Sequence, residues 1–276
     1  MLRETIGFIG AGEMARALGG GFVAAGLLRE DQLWAADPRP EGREEFAGRL
    51  PEAHVVAENT QVAEAADIIF LAVKPQHIRT ALADLREPVG SRHLVISIAA
   101  GVALSTIAEQ LSDRGPEGGP RLVRVMPNTP CLVGQSASGY CLGRGATPED
   151  GRVVRKLLEA VGVAFELPEK LLDAVTGLAG SGPAYVYMMI EALSDGGVAV
   201  GLPRDVSAAL AVQTVRGAAQ MVLQSGEHPA ALKDRVASPG GTTIAGLAEL
   251  ERGRFRAALI GAVRAATERS IELGKS

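Results

Sequence analysis

The segment GFIGAGEMARAL, residues 7–18, sets Gly10, Gly12 and Ala15 in the order G-x-G-x-x-A, where a short apolar run gives way to a helical one. Such a string is common by itself. Between a strand and a helix it is restrictive, because each small residue has a separate steric task. Gly10 permits the tight turn, Gly12 lets a pyrophosphate reach the backbone without meeting a Cβ, and Ala15 keeps helix and strand close. The N–H groups of the first helical turn then face the phosphates, aided by the helix dipole. The pattern predicts the first βα unit of a dinucleotide-binding sheet, with Ile9, Gly10, Ala11, Gly12, Glu13, Met14 and Ala15 at the cofactor. A purely structural glycine turn is the plainer alternative. Asp37 argues against it, being an acidic residue at the end of the second apolar run, where such sheets meet the ribose.

The rest of the first 165 residues agrees. Strand-like runs at 5–10, 32–37, 54–58, 67–73, 93–99 and 121–127 alternate with helical stretches such as 13–26 and 101–111. Most of these runs are continuously apolar, as strands covered on both faces are. The alternation predicts a doubly wound α/β sheet. Residues 136–142 and 163–167 add two strands at its far edge, with a helix near 148–161, and DRGPEGGP (113–120) reads as a surface loop. Beyond residue 165 the strand signal stops. PAYVYMMIEALSDGGVAVG (183–201) is apolar on most sides, and in RDVSAALAVQTVRGAAQMVLQ (204–224) the polar Gln213, Arg216, Gln220 and Gln224 share one face. Helices this apolar need burial nearly all round. The expectation is a domain over 1–165 and an all-α domain over 166–276 that packs against a second copy of the chain. A bundle buried against its own first domain is the alternative.

The expected carboxyl ends of the strands carry small or rigid residues. Ala72 and Val73 bring backbone to that edge, followed by Lys74 and Pro75; Ala99, Ala100 and Gly101 leave room for a ring; Asn128, between prolines, offers donor and acceptor. All are expected at the cofactor. At the second strand's tip, Asp37 would accept from a ribose 2′-OH and repel a 2′-phosphate, whereas Arg39 could pair with that phosphate. The choice between NADH and NADPH stays open.

Several classes are disfavoured. The net charge is −4 with both signs scattered, and aromatics are only 4%, so no basic stripe or stacking platform for nucleic acid is present. The two cysteines, Cys131 and Cys141, match no common zinc spacing, and no metal site is expected. The opening MLRET leads directly into a strand, and no uninterrupted apolar run reaches a membrane span, so a soluble, cytoplasmic protein is expected. None of His54, His77, His93 and His228 belongs to a readable catalytic constellation.

Taken together, GFIGAGEMA (7–15), LAVKP (71–75), AAG (99–101), MPNTP (126–130), TGLAGSGPAY (176–185), SDGGVAVGLPR (194–204) and LKDRVASPGGTTIAGLAELERGRFR (232–256) resemble the Δ1-pyrroline-5-carboxylate reductases, nearly end to end. The resemblance implies a Rossmann-type domain followed by an all-α dimerisation domain, an interlocked homodimer, and rings of dimers such as a decamer. It implies NADPH or NADH as cofactor and a cyclic imine carboxylate as substrate, reduced at C=N to L-proline. Asn59 matches a cofactor-contacting asparagine of relatives. Asp37 departs from a serine that often favours NADP. Glu169, Val236, Ser238, Gly240, Gly241 and Thr243 match positions around substrate.

ASPGGTTIAG (237–246) interrupts helical sequence with residues that helices disfavour. It is either a plain turn or a binding loop. As a binding loop it leaves the amides of Gly240 and Gly241 bare ahead of a helix starting near Thr242, which attracts a carboxylate. Ser238 adds a hydroxyl, and Thr243 is the candidate catalytic residue, bonding the imine nitrogen. Two other functions would share the dinucleotide fold. A β-hydroxyacid dehydrogenase would need a catalytic lysine in the helical region, where Lys170 and Lys233 sit in no such motif. A non-catalytic dinucleotide-binding regulator would have no need of Gly240, Gly241 and Thr243.

Overall fold

The computed structural model describes residues 1–111 and 119–274. Among these, the apolar runs form one eight-stranded sheet in the order β3-β2-β1-β4-β5-β6-β7-β8. The strands are β1 (Ile6–Ile9), β2 (Leu33–Ala36), β3 (His54–Val56), β4 (Ile68–Leu71), β5 (Leu94–Ser97), β6 (Arg121–Met126), β7 (Ser136–Leu142) and β8 (Gly162–Glu166). Neighbouring strands run parallel except β6 and β7, which are antiparallel. Helices α1 (Glu13–Ala24), α2 (Pro40–Arg49), α3 (Asn59–Ala65), α4 (Ile78–Leu85), α5 (Leu104–Leu111) and α6 (Pro148–Glu159) follow their strands. The loop expected over 113–120 lies almost wholly outside the described residues.

Both faces of the sheet are covered, which explains the continuous apolar runs. Phe8 and Phe70 point to one face, joined by Phe22 of α1 and Phe46 of α2. Their neighbours Ile9, Ile69 and Leu71 point to the other, against α3, α4 and α5. The Phe8 and Phe70 rings stack 5.1 Å apart. Each such fully buried side chain contributes about 1.5–3 kcal/mol. The helix expected from residue 101 starts only at Leu104, because Gly101 turns the chain with φ +75°.

The strand order reverses between β1 and β4, and the crevice outside their carboxyl ends is where such sheets bind ligands. Gly10 stands there with φ +98°, and a Cβ on it would lie 2.9 Å from the Ala72 carbonyl oxygen. Conformation and space both require glycine.

The all-α part comprises α7 (Leu172–Val175), α8 (Gly182–Ala199), α9 (Arg204–Ser225), α10 (Pro229–Arg235), α11 (Thr242–Arg252) and α12 (Phe255–Leu273), with a π-helical turn over Thr176–Gly180. The chain divides into two compact units. Gly182–Arg264 form one; Met1–Ser181 and the described residues from Ala265 onward form the other. In the helical unit α8 and α9 lie side by side. The Ser207 hydroxyl donates to the Ser194 carbonyl at 2.6 Å, and Arg204 pairs with Asp195. Among the described residues of this unit only Ser194, Ser207 and Ala211 are buried, while Met188 (72% exposed), Val200 (83%) and Leu223 (75%) stand in the open. Over its 22 residues α9 is also long and apolar enough to cross a membrane by length and composition, although no uninterrupted apolar run is that long. Within this unit α8 and α9 leave most of their apolar surface open.

Candidate active site

Two helices begin in the same way. Gly12 is the N-cap of α1 with φ −75° and ψ −176°, and Gly241 is the N-cap of α11 with φ −80° and ψ 179°. Each glycine's carbonyl accepts the first intrahelical bond, from Arg16 N and Ala245 N respectively. Each follows a glycine with positive φ, Gly10 at +98° and Gly240 at +67°. A glycine cap has no side chain to take up the first-turn N–H groups, so these remain for a ligand. A Cβ built on Gly12 would meet nothing within 4 Å. The space is therefore needed by no part of the described protein, and the residues fit a dinucleotide pyrophosphate.

Behind this loop, Ala11 and Ala15 are fully buried, and Gly10 N donates to Ala36 O at 2.8 Å, tying the turn to β2. Met14 meets the thiol of buried Cys131 at 3.4 Å. Glu13 is exposed and pairs with Arg16, which also pairs with Glu45. Ala72 N donates to Ile9 O at 2.8 Å, and Lys74 and Pro75 lie exposed beyond it.

Asp37 is buried at the end of β2. Its Oδ2 accepts from Ala11 N at 3.2 Å and Arg39 Nη2 at 3.2 Å, and its Oδ1 from Arg39 N at 3.1 Å and Arg39 Nε at 3.0 Å. Burial works against its charge, but the Arg39 fork and the amides of Arg39 and Ala11 outweigh it and hold the carboxyl below its usual range. Asn59 opens α3 and donates to Asp84 at 2.9 Å.

Three expected site residues are occupied with holding the scaffold. Asn128 is buried. Its Nδ2 donates to Ala179 O at 3.0 Å, while its Oδ1 accepts from Ala137 N at 3.0 Å and Ser136 Oγ at 3.2 Å. It clamps the π-helical turn to β7. Glu169 accepts from Leu104 N at 2.8 Å, capping α5, and pairs with Arg124 at 3.4 Å. Gly101, below Ala99 and Ala100, packs on the last turn of α12, where an added Cβ would lie 3.4 Å from Leu273 Cβ.

The helical-unit residues cluster in one loop. Val236, Ser238 and Gly240 are exposed, Gly241 and Thr243 half-buried, and Thr242 exposed at the first turn of α11. Contrary to expectation the Gly241 amide is not bare, because the tight turn directs it to Ser238 O at 3.0 Å. Sequence reasoning did not single out Arg124, although an arginine inside the apolar run RLVRVMP was visible. It is buried in β6 and pairs with Glu169 and, at 3.3 Å, with Asp173, which accepts from Ser270 at 2.7 Å. Nor did it single out Arg43, whose Nη1 donates to Asp37 O at 2.8 Å and Pro38 O at 3.1 Å.

The histidines have other work. His54 stacks on Trp34, His228 accepts from Ala230 N at the start of α10, and His93 is buried against Ala63 O. Burial pushes both cysteine thiols up to about 11, leaving them poor nucleophiles. No group of three or more potential metal ligands occurs among the described residues.

A family model described as pyrroline-5-carboxylate reductase dimerisation matches residues 169–273, and one described as NADP oxidoreductase coenzyme F420-dependent matches residues 5–101. The chain is 46% identical over 271 residues to the pyrroline-5-carboxylate reductase of Arabidopsis thaliana, covering 98% of this chain and 96% of that one. It is 46% identical over 275 residues to that of Methanosarcina acetivorans, covering 100% of both. The crystal structure of Plasmodium falciparum pyrroline carboxylate reductase with NADP bound aligns with a TM-score of 0.88 at 34% identity, over 99% of each chain.

Proposed function

The chain belongs to the pyrroline-5-carboxylate reductase family, and from this premise we infer how its own residues serve the reaction. It is an NAD(P)H-dependent oxidoreductase that reduces the C=N bond of 1-pyrroline-5-carboxylate to give L-proline. The observation that carries the assignment of roles is the pair of glycine-capped helix starts, one suited to a pyrophosphate and one to a carboxylate.

Gly10–Ala15 would hold the pyrophosphate, with Ala72–Pro75, Ala99–Gly101 and Asn59 along the rest of the cofactor. The bound dihydronicotinamide supplies the hydride. On the substrate side, the Gly240 amide, the first-turn amides of α11 and the hydroxyl of Ser238 receive the substrate carboxylate. Gly241 holds the loop closed by donating its N–H to Ser238 O at 3.0 Å, and Val236 gives the ring an apolar wall. Thr243 Oγ1 hydrogen-bonds the imine nitrogen and orients it. Glu169 and Asn128 act from behind by fixing α5 and the π-helical turn. Holding a small rigid imine in place can supply roughly 7–11 kcal/mol at best. The imine takes its proton from water, so no strong general acid is required. Lys233 is paired with Asp234 at 2.8 Å, which does not favour the dehydrogenase alternative.

Residues 166–276 serve dimerisation and substrate binding in this reading, 1–165 the cofactor. The dimerisation model spans α7–α12, and the apolar surfaces of α8 and α9 among them are open in the single chain. An interlocked dimer, and rings of such dimers up to a decamer, extend that reading. Cofactor and substrate are both diffusible, which favours the cytoplasm.

Following NAD(P)H oxidation at 340 nm with and without pyrroline-5-carboxylate tests the activity. Thr243→Ala should lower kcat about tenfold to a hundredfold, as loss of one positioned hydrogen bond does, with NAD(P)H affinity nearly unchanged. Collapse of cofactor affinity with an unaltered imine rate would remove Thr243 from the substrate side.

A further inference from the structure

We propose that the turn between β2 and α2 selects NADPH over NADH, with Arg39 and Arg43 receiving the 2′-phosphate and Asp37 bracing the glycine loop. The proposal rests on the reading that this chain binds a nicotinamide dinucleotide, and it adds which one and why.

An acidic residue at this position ordinarily reads the ribose hydroxyls. For that it needs acceptor positions to offer. A carboxylate has about four, and four donors already reach Asp37: Ala11 N, Arg39 N, Arg39 Nε and Arg39 Nη2. The side chain is also enclosed. It is 6% exposed, and a Cβ on Gly42 would lie 2.8 Å from its carboxyl carbon. One of the four donors is the amide of Ala11, between the two glycines of the phosphate loop, so the carboxylate holds that loop to β2.

Arg39 is built the opposite way. Its Nε and Nη2 edge faces Asp37, yet its side chain is 68% exposed. A guanidinium carries five N–H donors, so its outer edge remains for a second anion. Arg43 lends a second cation. Its Nη1 is fastened to the carbonyls of Asp37 and Pro38, which sets its head beside the same turn. Of the carboxylates on α2, Glu45 is taken up by Arg16, and Glu41 and Glu44 are exposed. A 2′-hydroxyl thus finds a filled carboxylate, whereas a 2′-phosphate finds two guanidinium groups tied to the same turn.

Calorimetric titration of the cofactor-free protein with NADPH and with NADH tests this without any turnover. The wild type should bind NADPH at least about tenfold more tightly. Arg39→Gln should weaken NADPH about 10- to 100-fold, as loss of a charge-assisted pair does. NADH affinity should hold or rise, because Asp37 regains acceptors. Arg39→Lys should keep part of the preference, and Arg43→Gln should lose a smaller part. A thermal melt of each variant checks folding. Equal or tighter NADH binding by the wild type overturns the proposal, as does an Arg39→Gln variant that weakens both cofactors alike. If neither cofactor binds, the dinucleotide reading itself fails as well.

Discussion

Gly12 needs no glycine for its own backbone, since φ −75° is open to any residue and an added Cβ would touch nothing. Gly12→Ala should therefore leave the melting temperature unchanged, yet weaken NADPH binding by about tenfold or more, which is about 1.4 kcal/mol. A melt and a fluorescence titration decide it; unchanged binding would mean that no ligand approaches that Cα. At this scale the sequence was readable where the backbone itself demands a small residue, as at Gly10 with its positive φ. It was less readable where a polar residue had alternatives. Asn128 and Asp37 stand out in the sequence for their chemistry, but whether an amide still has a donor or a carboxylate an acceptor to offer depends on neighbours far off in sequence, Ala179 for one and Ala11 for the other.

At the scale of elements, all eight strands stand within a few residues of their apolar runs, because two-sided burial writes itself into composition. The reversed direction of β7 was not legible, since an apolar run carries no sense of polarity. Nor was the π-helical turn over Thr176–Gly180, which depends on Asn128 as an outside partner for Ala179. One element invites a pH test. At the start of β5, buried His93 receives Gly90 N–H on Nδ1 at 2.9 Å and gives its Nε2–H to Ala63 O at 2.9 Å, linking that strand to α3. Burial lowers its pKa below 6.5, despite the opposing bond to Ala63. The folded state keeps the ring neutral while the unfolded chain takes up a proton. Stability from this group is therefore complete above about pH 6.5 and falls as pH drops below it. The melting temperature should decline between pH 7 and pH 5, with a shallower decline in His93→Gln. Equal slopes in the two proteins would show that His93 does not titrate on unfolding.

For the whole molecule, the open helices of the second unit matter most. Large apolar side chains rarely stand this exposed over such an area without a partner, and the matching family model is one of dimerisation. Met188→Arg, a charge in the middle of α8, should shift the chain toward monomer and lower its melting temperature. Analytical ultracentrifugation reads the first and a melt the second; an unchanged sedimentation coefficient would take this face out of the interface. That helices needed a partner was legible from their all-round apolarity, whereas the number of copies is written in surfaces that no periodicity reveals. The far end of the chain brings a practical consequence. Ser270 is fastened to Asp173, and Leu273 and Gly274 lie against Gly101. A clone shortened before Ser270 would strip support from beneath the Gly101 turn. An affinity handle is safer ahead of Met1, which already lies in solvent.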